Sequence, residues 1–102
     1  MHSIIEEKQD RVIALCIKHR VKLLDLFGSA GTVFFDDSES DIDFIVQFNQ
    51  MTPAEHARSY FSLLADLQDL FKRDIDLIEY SAVSNPYFMK SVERNRSIIY
   101  AA

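Results

Sequence analysis

Residues 26–46 read LFGSAGTVFFDDSESDIDFIV, two apolar runs joined by a polar, acidic stretch. The first run begins upstream as VKLLDLF (21–27), with Val21, Leu23 and Phe27 on one side and Leu24 and Leu26 on the other, which suits a strand covered on both faces. It stops at Gly28. The second run, DIDFIVQF (41–48), alternates: Ile42, Phe44, Val46 and Phe48 share one face, and Asp41, Asp43, Ile45 and Gln47 share the other. Two strands with a lone Gly28–Ser29 pair after the first and two aspartates opening the second set the question of why like charges stand there.

Outward from this stretch the pattern alternates between periods. Before it, Ser3 with Glu6 forms a capping-box pattern, and Ile5, Val12, Ile13, Cys16 and Ile17 recur at helical spacing, predicting a helix from about Ile4 to His19. After it, Thr52, Pro53 and Glu55 make a helix start with proline where its missing N–H costs nothing. Ala57, Phe61, Leu64, Leu67 and Phe71 are the expected buried stripe of that helix, which should end near Phe71. RDIDLIEY (73–80) alternates again and predicts a third strand. Ser84 or Asn85 can cap a short helix from Pro86 to about Asn95, and SIIY (97–100) predicts a closing strand. Alternating helices and strands over 102 residues point to one domain, residues 1–102, with a small α/β or α+β layer fold around one sheet.

Composition narrows the function. A net charge of -5 opposes extended nucleic-acid binding, which draws its affinity from Lys and Arg neutralising phosphates. There is no apolar run near the roughly 18 residues that would span a bilayer and no secretory start, and the only cysteine, Cys16, falls in an amphipathic stretch as a small core residue. The expectation is a cytoplasmic protein without disulfides or a membrane.

On a strand, Asp41 and Asp43 project from one face about 7 Å apart at the backbone, and carboxylates held that close repel unless a cation lies between them. A hard oxygen set without nearby cysteine or paired histidine favours Mg²⁺ or Mn²⁺, which would take carboxylates together with substrate phosphates. Asp76, in DIDLIEY, is the natural third ligand from a neighbouring strand. Gly28, lacking a Cβ, lets backbone approach a phosphate closely, and Ser29 adds a hydroxyl. Gly-Ser alone is an ordinary turn, and Asp-x-Asp alone an ordinary acidic edge; together with a second Asp-bearing apolar strand they describe nucleotidyl transfer. A calcium loop counted from Asp36 fails, because its sixth place is Asp41 rather than glycine and its twelfth is Gln47 rather than glutamate.

GSAGTVFFDDSESDID followed by IDLIEY resembles the minimal nucleotidyltransferase (MNT) proteins of the DNA polymerase β nucleotidyltransferase superfamily, and NPYFMKSVERNRSIIYAA looks like their C-terminal helix and closing strand. The resemblance implies a mixed sheet with flanking helices. It assigns Asp41, Asp43 and Asp76 as catalytic metal ligands and Gly28 and Ser29 as the nucleotide phosphate site, while Asp74 has no reliable counterpart. It further implies ATP as substrate and a helical HEPN-type toxin as partner, the MNT protein acting as antitoxin by transferring AMP to a tyrosine of the toxin. One departure stands out: no Lys or Arg occurs between Lys22 and Arg58, so a triphosphate would rely on metals, backbone N–H groups, more distant residues such as Lys72 or Arg73, or a basic residue from a second subunit. That departure keeps open a contact-only antitoxin without catalysis. A small-molecule nucleotidyltransferase is a third reading, disfavoured because so short a chain offers little wall for an acceptor pocket. His2, His19 and His56 read as surface histidines, and Tyr87 and Phe88 as core or partner contacts.

Overall fold

The computed structural model describes residues 3–27, 42–82 and 97–102. Helix α1 (Ser3–Lys18) leads into strand β1 (Val21–Phe27); β2 (Ile42–Phe48), helix α2 (Pro53–Phe71) and β3 (Ile75–Glu79) follow. A short 3-10 turn, Tyr80–Ala82, comes directly after β3, and β4 (Ser97–Ala101) ends the chain. The expected helix at 86–95 with its Ser84 or Asn85 cap, Tyr87, Phe88, His2 and the Ser3 side chain with its capping box lie outside the described residues.

The strands form one mixed sheet in the order β3-β2-β1-β4. β1 pairs antiparallel with both β2 and β4, and β2 pairs parallel with β3. The parallel pair is joined through α2, the crossover a parallel pair requires. Ile42, Phe44 and Val46 of β2, Leu24 and Leu26 of β1, Ile75 and Leu77 of β3 and Ile99 of β4 all enter one core. α1 meets them with Ile5, Val12 and Cys16, and α2 with Leu63, Leu67 and Phe71. Both helices therefore cover the same face of the sheet, where each fully buried Leu, Ile or Phe contributes about 1.5–3 kcal/mol. Phe44 is fully buried and packs its ring 6.1 Å from that of Phe71.

The helix ends are fixed locally. Thr52 caps α2, its Oγ1 accepting the Glu55 N–H at 3.2 Å, and Pro53 occupies the first turn. At the other end Lys72 adopts left-handed backbone, φ 56°, and its N–H reaches the Gln68 carbonyl at 2.9 Å. Arg20, φ 59°, does the same after α1, and its guanidinium donates to Glu55 at 2.9 Å. That bond holds the Glu55 carboxyl below its usual range.

Two expectations change. The α2 residues that bury are Ser59, Leu63, Leu67 and Phe71, whereas Ala57 is exposed and Phe61 is 66% exposed. α2 is apolar over more than one stripe, so the sequence alone permits two orientations; the one adopted turns Phe61 outward. His19 is no surface residue either: it is 8% exposed and shares a 2.6 Å hydrogen bond with Asp66 of α2, which Lys18 also contacts at 3.3 Å. The hydrogen bond with His19, then Lys18, holds the Asp66 carboxyl below its ordinary value. Cys16 is a core residue as expected, its thiol pushed up to about 12 by burial.

Candidate active site

The face of the sheet opposite the helices carries the carboxylates. Because side chains alternate along a strand, burial of Ile42, Phe44, Ile75 and Leu77 against the helices forces Asp43 and Asp76 to the other side. The register then brings them together: Asp43 of β2 is the direct partner of Asp76 of β3, one strand spacing away, about 4.8 Å. Asp43 is half-buried and Asp76 exposed at the edge of the sheet. On its other side Asp43 faces Phe27, the last residue of β1.

Gly28, Ser29 and Asp41 lie outside the described residues. Gly28 follows Phe27 and Asp41 precedes Ile42 in sequence, and the strand-end residues Phe27 and Ile42 lie beside the Asp43–Asp76 pair. Among the described residues no group of three His, Cys, Asp or Glu side chains converges to hold a metal. Two adjacent carboxylates are nevertheless unfavourable neighbours that call for a counter-charge, and their hard oxygens suit Mg²⁺ or Mn²⁺.

A third carboxyl on this face was not singled out by the sequence. Asp25 stands in the middle strand, opposite Ile45, and is 0% exposed. Taking a carboxyl out of water costs several kcal/mol unless it is hydrogen-bonded. Tyr80, from the turn after β3, donates its phenol to Asp25 Oδ2, so the hydrogen bond reaches across β2 from the strand of Asp76 to β1. The signal was present as one charge inside the apolar run LLDLF. Asp74, just before β3, is exposed, and its carbonyl accepts the Ile42 N–H at 3.3 Å.

At the outer edge of β3, Tyr60 of α2 donates to the Leu77 carbonyl at 2.6 Å. Desolvation raises its phenol above the ordinary value, and the charges of Glu79 and Asp76 raise it further. His56 and Glu79 hydrogen-bond beside it, and the His56 ring meets Phe48 edge-on at 5.2 Å. No described helix is long and apolar enough to cross a membrane.

Residues 10–102 fit the "Polymerase beta, Nucleotidyltransferase" family model. The chain belongs to this nucleotidyltransferase family, the one its motifs resemble. Two proteins of Methanocaldococcus jannaschii, each named as a proposed protein adenylyltransferase, are 33% and 36% identical to it over 78 residues, 76% of this chain and 76% of each relative. Among solved structures, one chain of a tri-AMPylated Shewanella oneidensis HEPN toxin in complex with its MNT antitoxin superimposes with a TM-score of 0.65 at 18% identity, over 95% of this chain and 72% of that one. A toxin–antitoxin structure with AMP-PNP gives 0.68 at 19% identity, over 92% and 73%. A minimal nucleotidyltransferase, so described as a proposal, gives 0.69 at 23% identity, over 91% and 90%. At these identities the structural likenesses establish the fold, a mixed sheet with flanking helices.

Proposed function

We propose that this nucleotidyltransferase moves AMP from ATP to a tyrosine hydroxyl of a HEPN-type toxin and so acts as its antitoxin. The observation that carries the reading is the register pairing of Asp43 with Asp76 at the end of the sheet where the Gly28–Ser29 and Asp41 segments attach. The adenylyltransferase names of the two Methanocaldococcus relatives, the AMP-PNP complex and the tri-AMPylated toxin support it.

Asp41, Asp43 and Asp76 would hold Mg²⁺ or Mn²⁺, which when bound lowers the acceptor oxygen's pKa and neutralises charge developing on the phosphates. Gly28 and Ser29 cradle the triphosphate. Asp76, at the sheet edge, lies on the acceptor side and accepts the tyrosine proton as Oη bonds to the α-phosphorus. The bond from that phosphorus to the bridging oxygen breaks, and pyrophosphate leaves. Asp43, one strand inward, stays with the nucleotide.

The absence of Lys and Arg between Lys22 and Arg58 favours a second reading, an antitoxin that neutralises its partner by contact alone. Incubation of the protein with Mg²⁺, α-labelled ATP and the protein encoded beside it separates the two. Label on the partner that disappears in an Asp41→Ala, Asp43→Ala double variant supports the transferase; no transfer, with the complex intact in that variant, leaves contact alone.

A further inference from the structure

Phe61 is 66% exposed on a helix whose other large apolar side chains are at least partly covered, and it is the most exposed large hydrophobic side chain among the described residues. It stands beside a groove. Tyr60, Ala57, Met51, Pro53 and Glu79 line with it an open depression of about 600 Å³ between the first half of α2 and the outer edge of β3. The Tyr60 and Phe61 rings meet edge-on at 5.1 Å and form a rigid apolar wall.

The groove belongs to the same edge as the reactive pair. Glu79, at its rim, is three residues along β3 from Asp76, about 10 Å; by alternation it shares the helix-covered face with Ile75 and Leu77, so the groove and Asp76 flank the β3 edge from its two faces. The charges of Glu79 and Asp76 both add to the rise that desolvation gives the Tyr60 phenol. Asp74 and Asp76 are exposed along the edge and Glu79 is partly so. A partner seated here meets apolar surface first and negative charge beside it.

Strand addition does not fit this edge. The Asp74 carbonyl points toward β2, where it accepts from Ile42, so by alternation the main-chain groups of Ile75, Leu77 and Glu79 point outward. Tyr60 already donates to the Leu77 carbonyl and places its ring beside it, a side-chain cap of the kind that blunts sheet edges. Contact must come through side chains.

We propose that this groove is the acceptor-docking subsite: it takes an apolar side chain of the acceptor protein, with a neighbouring Lys or Arg against Glu79 and Asp74, and so brings the acceptor hydroxyl to Asp76. The inference rests on the transferase reading for its purpose but not for its test. Calorimetric titration of the full chain with the protein encoded beside it gives the acceptor Kd, and titration with ATP gives nucleotide affinity. Phe61→Ser raises the acceptor Kd, and the KM for acceptor in label transfer, about tenfold, as loss of one buried aromatic anchor implies. ATP affinity, kcat and Tm stay unchanged, because Phe61 touches neither the nucleotide side nor the core. Phe61→Leu restores most of the acceptor affinity, and Asp74→Lys weakens it with a salt dependence smaller than that of the wild type. An unchanged acceptor Kd in Phe61→Ser, or no binding by the wild type, overturns the proposal. Loss of acceptor binding in Phe61→Ser when even the wild type transfers no label keeps the groove and removes the transferase.

Discussion

On the helix-covered face of the sheet the strand residues Leu24, Leu26, Ile42, Phe44, Val46, Ile75 and Leu77 are apolar and buried; on the other face the same three strands carry Asp25, Asp43 and Asp76. Neighbouring residues of one strand thus serve opposite ends. Phe44 holds the fold, and Asp43, one position earlier, sets a carboxylate beside that of Asp76. The period of two is what permits this, since a strand fixed by its apolar face delivers its other face at a defined spacing.

The contrast can be broken from either side. Phe44→Ala, on the covered face, should cost about 3–5 kcal/mol in chemical denaturation, because a cavity beside Phe71 cannot fully collapse, while the molecules that remain folded keep their transfer activity. Asp43→Ala or Asp76→Ala should do the reverse, lowering label transfer by about a hundredfold or more. In Asp76→Ala, Tm should hold or rise, since one of two adjacent like charges is gone. Tyr80→Phe sharpens the comparison, because it falls on the carboxylate face but acts on stability: removing the phenol from buried Asp25 should cost about 1–3 kcal/mol, read from the denaturation midpoint.

The smallest effect concerns the pin between the helices. Asp66 has a carboxyl pKa held below its unfolded value, chiefly by the His19 hydrogen bond. Its contribution is therefore present above the ordinary carboxylate pKa and is lost as pH falls through the lower, folded one. Tm measured from pH 6 downward should fall less steeply in Asp66→Asn than in the wild type over the acidic end of that range.

Much of this was legible in the sequence, because period and boundary are local properties. VKLLDLF forms β1 over its full length, the second run forms β2 from Ile42, and Pro53 and Phe71 bound α2 as expected. That Asp43 and Asp76 lie opposite the core followed from the same alternation. That they are register partners did not, since parallel pairing is a long-range outcome set by how α2 returns the chain. The first half of the expected α2 stripe was misjudged: Leu67 and Phe71 are buried as expected and Leu64 packs half-buried against the core, but Ala57 and Phe61 fit helical spacing as well as Ser59 and Leu63 do, and packing against the strands chose the latter. Asp25 escaped notice because its meaning depends on Tyr80, 55 residues away. His19 escaped for the same reason, its partner Asp66 standing 47 residues away on α2.

The left-handed residues at the helix ends, Arg20 and Lys72, have a consequence for engineering. Each holds a conformation that costs a residue with a Cβ roughly 1 kcal/mol or more and costs glycine almost nothing. The chain has only two glycines, Gly28 of the proposed phosphate site and Gly31 three positions later in the sequence. Stability can therefore be raised at the helix ends: Lys72→Gly relieves the end of α2 and gives up only an exposed ion pair with Asp69 at 3.0 Å, whereas Arg20→Gly releases Glu55, the partner that ties the end of α1 to α2. Lys72 is the place to begin when a more robust protein is wanted, because its ion pair is exposed at both ends.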